Sequence, residues 1–82
     1  MNIYGHTKRK RSDGEEQPAA LAEVTLVASP AELRRIAAFL LAGAQTMEQM
    51  GKSYSHEHLS DKDSSFESSP HLVIASPSAH AV

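Results

Sequence analysis

With 82 residues, no cysteine and only 5% aromatic content, the chain holds one domain with a thin core, and has neither a cleft between lobes nor a disulfide or thiolate-metal framework. The formal charge of −2 is unevenly shared: Lys8-Arg9-Lys10-Arg11 carries four of the eight basic residues, leaving four against ten acidic ones, −6, for the remainder. An acidic body argues against nucleic acid and for a basic protein partner, no apolar run nears the ~20 residues of a membrane span, and Met1 to Gly5 lacks the apolar block of a signal peptide, so a cytoplasmic protein with no membrane partner is expected.

Asn2-Ile3-Tyr4-Gly5-His6 reads as a short strand with Ile3 on one face and Tyr4 on the other. Thr7 to Pro18 is charged and rich in Ser, Gly and Gln, the composition of a flexible loop, basic then acidic. A second strand over about Ala22 to Ala28 alternates Val24 and Leu26 with Thr25 and Val27. The helix after it is written at both ends. Ser29 caps, Pro30 fits the first helical position, Glu32 completes an S-x-x-E capping box, and Gly51 provides a left-handed stop. Leu33, Ile36, Ala37, Leu40, Ala44 and Met47 step by three or four into one stripe, which Phe39 and Leu41 widen. Gly43 costs about 1 kcal/mol against alanine inside a helix, which suggests close approach of a strand or simple tolerance. Gly51 to Pro70 turns polar, a long connection of the kind that is often functional. His71 to Ser76 is the last strand, with Leu72 and Ile74 facing one way and Val73 and Ala75 the other, and 78–82 reads as a frayed tail.

These elements give an α+β fold: a two-layer β-β-α-β domain over 1–77, with a small, mainly antiparallel sheet and one long helix packed across one face. Tyr4, Val27, Val73 and Ala75 then line the sheet face left uncovered, which is a homodimer surface or a partner surface. If the first and last strands are neighbours, His6 and His71 face each other.

Chemistry-bearing residues concentrate in His56-Glu57-His58 with Asp61 and Asp63. In an extended segment His56 and His58 point the same way and, with Asp61, could reach one metal ion; on a helix they diverge by about 200°. The plainer reading is that they order the loop or touch a partner, with no metal or other cofactor. A nucleophile elbow and a Gly-rich phosphate cradle are both missing, so no catalytic residues are assigned. Lys8 to Arg11 has no interleaved aromatic residue and is followed at once by Asp13, Glu15 and Glu16, which favours a solvated loop over a nucleic-acid site.

The succession Ile3-Tyr4-Gly5, Glu23-Val24-Thr25-Leu26, then Ala28-Ser29-Pro30-x-Glu32-Leu33-x-x-Ile36-Ala37-x-Phe39-Leu40, Met47-Glu48 and His56-Glu57-His58-Leu59-Ser60-Asp61 before a closing apolar strand resembles a group of small bacterial immunity proteins of polymorphic and contact-dependent toxin systems. That resemblance implies a non-catalytic binder that neutralises a cognate protein toxin in the producing cell's cytoplasm, many such toxins being nucleases with basic clefts. It implies a contact surface over 54–67: Glu57, Asp61, Asp63 and Glu67 would answer the cleft, His56 and His58 would lie among them, and Tyr54 and Phe66 would be either apolar anchors or core. The alternative from another class is a small metal-binding protein using His56, His58 and Asp61.

Overall fold

The computed structural model describes residues 1–8 and 19–77. The basic run from Arg9 onward, most of the expected 7–18 loop, and the 78–82 tail lie outside the described residues. In chain order the elements are β1 (Asn2–Thr7), β2 (Leu21–Val27), α1 (Pro30–Met50), a 3-10 turn at Gly51–Ser53, β3 (His56–His58), α2 (Leu59–Lys62), a second 3-10 turn at Ser64–Phe66, and β4 (Val73–Ala75). This is a small α+β fold with one main helix.

Helix α1 begins and ends where its caps place it. Glu32 N donates to Ser29 Oγ at 3.1 Å and Ser29 N donates to Glu32 Oε1 at 2.9 Å, closing the capping box. Gly51 takes φ 55°, the one positive φ among the described residues, and its N–H donates to Met47 O. A side chain at that φ would be strained, so glycine ends the helix.

The strands form two sheets where one was expected. β1 pairs only with β2 and β3 only with β4, both antiparallel. β3 arises inside the segment read as a polar connection, and it is the strand that lies beside β4. Two burials and one cap fold that segment. Leu59 (1% exposed) and Phe66 (2%) enter the core with Ile36 and Phe39, while Met1, Leu72 and Ile74 pack at its margin. Asp63 caps the second 3-10 turn, Leu59 N donates to Leu72 O at 2.9 Å, and Asp63 N donates to Leu59 O at 2.9 Å. Fully burying a Leu or Phe side chain contributes roughly 1.5–3 kcal/mol, enough to order a stretch whose average composition is polar.

The helix stripe is correspondingly displaced. Its buried residues are Ile36, Phe39 and Gly43, whereas Leu33, Leu40 and Leu41 are exposed. At about 100° per residue, the exposed leucines are centred some 100° round the axis from the buried edge. Leu33 and Leu40 thus do not clamp a sheet. Gly43 is explained: a Cβ there would collide with Ile74 Cδ1 from β4 and come within 3.9 Å of Tyr54 Oη. The space a side chain at 43 would take is filled by the Ile74 side chain of β4.

The β1–β2 hairpin is the exposed part of the described structure. All seven residues of β2 are exposed, and only Ile3 of β1 is partly covered. The register Ile3↔Leu26 and Gly5↔Val24, with a shift between His6 and Thr7, puts Ile3, Val24 and Leu26 on one face. Leu21 joins them, since its Cδ1 would lie 2.8 Å from a Cβ on Gly5. Tyr4 and Val27 are on the other face and belong to a different sheet from Val73 and Ala75, so the single uncovered face expected for a homodimer does not exist as one surface.

Candidate functional site

The expected contact residues lie on β3, α2 and the turn after it, and pleating sorts them. The pairs His56↔Ala75, Glu57↔Ile74 and His58↔Val73 alternate across the β3–β4 sheet. Ile74 meets α1 at Gly43, so the Glu57–Ile74 face is turned to the helix. His56, His58, Val73 and Ala75 occupy the opposite face. The imidazoles of His56 and His58 stand 5.3 Å apart, edge to face, as same-side neighbours on a strand should. His71 continues the row at 6.1 Å from His58. The first and last strands are not neighbours, so His6 does not face it; His6 Nε2 lies 3.9 Å from Glu23 Oε1 in the β1–β2 sheet.

Glu57 is held. Its Oε2 forms an ion pair with Lys62 Nζ at 3.3 Å, whereas its Oε1 is buried with no hydrogen-bond partner, as is Tyr54 Oη. Burial raises the Tyr54 phenol above its ordinary 10.0, and the neighbouring Glu57 carboxylate adds to that rise. Asp63 is committed inside the fold: Oδ1 accepts from Ser65 Oγ at 2.6 Å and Ser65 N at 3.1 Å, and Oδ2 accepts from Arg35 Nε at 2.7 Å. The Ser65 hydroxyl, then Arg35, hold its carboxyl below the ordinary value. Asp63 therefore ties the turn to α1 and leaves little acceptor capacity for a partner.

Tyr54 and Phe66 are buried. They are core residues, not exposed anchors. Val73, 43% exposed between the histidines, is the apolar residue this surface does present. Asp61 and Glu67 are exposed at its rim. Sequence reasoning placed Val73 on a free face without connecting it to His56 and His58, and it could not bring in His71, because both depend on the β3–β4 register. Among the described residues, no group of three or more His, Cys, Asp or Glu is placed to hold a metal ion, and the His56, His58 and Asp61 set is not assembled as one. The surface is thus a shallow, pre-formed polar face with one apolar centre, backed by Leu59 and Phe66.

A family model described as Immunity protein 32 matches residues 23–77, more than half of the chain and every element from the body of β2 to β4. The chain belongs to the Immunity protein 32 family. No curated protein and no solved structure matches it. Membership in the Immunity protein 32 family gives the chain an immunity role, in keeping with the resemblance to immunity proteins. No helix among the described residues is long and apolar enough to cross a membrane.

Proposed function

We propose that this protein neutralises a cognate toxin by direct, stoichiometric, non-catalytic binding in the cytoplasm of the producing bacterium, within a polymorphic toxin system. The contact is the solvent face of the β3–β4 sheet, with His56, His58, His71 and Val73 at its centre and Asp61 and Glu67 at its rim. The supporting observation is the division of labour in this segment. Leu59 and Phe66 are sunk in the core while Asp61 and Glu67 beside them stay exposed, and no metal-binding cluster is assembled among the described residues. Pre-ordering reduces the entropy lost on association, and the acidic rim steers a basic partner such as a nuclease cleft.

Co-expression with the toxin domain encoded beside the gene tests the reading. Wild type protects and co-purifies at one to one. Asp61→Lys with Glu67→Lys, both exposed positions, abolishes protection while the far-UV spectrum stays unchanged. Glu57→Lys is a poorer probe, since Glu57 is half-buried and paired with Lys62. Full protection by the folded double variant, or by Val73→Arg, would remove this surface from the interface.

A further inference from the structure

Two apolar surfaces are exposed at once among the described residues. One is the hairpin face bearing Leu21, Val24 and Leu26; the other is the α1 stripe of Leu33, Leu40 and Leu41, the last 72% exposed. A two-stranded hairpin is marginal in water unless a third strand or a helix covers it. A helical stripe and a sheet face are the two halves of an ordinary α/β layer pair. Here each half is present and neither covers the other. The six side chains together expose the equivalent of about three whole aliphatic residues, on the order of 500 Å² per chain, which doubled approaches the apolar share of a ~1,600 Å² interface.

The geometry points to a two-fold dimer in which the hairpin face of each copy lies on the α1 stripe of the other. A second copy is the occupant that the surfaces select. Any other partner would have to bring a helix for the hairpin and a sheet for the helix in one body, whereas a second copy brings both, and the two contacts are identical by symmetry. The arrangement leaves the histidine face of β3–β4 for a toxin and does not depend on the contact proposed there.

Sedimentation or light scattering of the full chain between about 1 and 100 μM, without toxin, tests it. The expected mass is twice 8.9 kDa. Leu41→Glu and Val24→Lys each weaken the dimer at least 100-fold while keeping the helical spectrum. Mixing the two variants restores a dimer, because the mixed pair retains one unaltered hairpin-on-helix contact and gathers both substitutions into the other, where they carry opposite charges. Leu41→Glu lies on an exposed turn of α1 and so remains folded even if Val24→Lys loosens the hairpin. A wild type that stays monomeric at 100 μM overturns the proposal, including the case where toxin binding then covers these residues. So does a Val24→Lys protein that dimerises as wild type does, or a mixture of variants that stays monomeric.

Discussion

Gly43→Ala is expected to reverse its sign according to the residue at position 74. A methyl group on Gly43 would strike Ile74 Cδ1 from β4. Overpacking of this kind costs about 1–3 kcal/mol, while alanine returns about 1 kcal/mol of helix propensity. The net effect in the wild-type background is a loss of up to ~2 kcal/mol, or as much as about 8–16 °C in Tm for a domain this small. Ile74→Val removes the colliding Cδ1 and alone costs about 0.5–1.5 kcal/mol. In that background the alanine methyl enters space just vacated, so Gly43→Ala stabilises by about 1 kcal/mol. The coupling across the cycle is therefore about 1–3 kcal/mol and favourable. Urea unfolding followed by far-UV circular dichroism, at one fixed protein concentration, measures all four corners. Additive effects within about 0.5 kcal/mol would mean that β4 does not press on the helix at Gly43, and the placement of the whole β3–β4 layer would be wrong.

The other expectations use the same unfolding assay. Leu59→Ala costs about 2–5 kcal/mol and also abolishes protection against toxin, because the histidine face loses its backing; unchanged protection would separate the two. Glu32, whose carboxyl is lowered first by the Ser29 backbone N–H and then by the Met1 amino group, and Asp63, lowered first by Ser65, are depressed acids. Their stabilisation is complete above the ordinary values of 4.5 and 3.8 and is lost as pH falls through the lower folded values. Asp63→Asn should therefore be less stable than wild type at neutral pH and show a shallower acid limb; parallel curves would refute this. Tyr54 is raised, so its contribution is complete below 10.0 and fades as pH climbs toward the higher folded value. Tyr54→Phe should remove that alkaline loss; an alkaline limb identical to that of wild type would overturn this.

Helix α1 was legible to the residue because its ends are encoded locally: a hydroxyl and a carboxylate three residues apart, a proline, and a glycine. The sheet arrangement was not, for a reason of scale. β3 is three residues long, too short for alternation to identify it, and β4, though readable as an apolar strand, has a partner only because Leu59 at the start of α2 and Phe66 beyond it are buried. The buried side of α1 was ambiguous for a different reason. Leu33, Ile36, Phe39, Leu40 and Leu41 spread over more than half the circumference, so periodicity marks an apolar arc without saying which edge meets the core. Tyr54 and Phe66 were open between core and contact because their neighbours are polar in either case. The histidine pair on one side of a strand was readable from the i, i+2 spacing; its third member, His71, comes from a pairing register that no local pattern carries.

The match to the family starts at Glu23, within β2, and so leaves out β1 altogether. Every ladder hydrogen bond of β2 is made with β1, which means that a fragment beginning at Glu23 would keep α1 and the Leu59–Phe66 core but strip one strand of all its backbone partners. Such a bare edge recruits whatever strand it meets. Shortening the chain to its family-defined portion should consequently yield aggregates, even though His56, His58, Leu59 and Phe66 are all retained, and it also removes Met1 from the margin of the core.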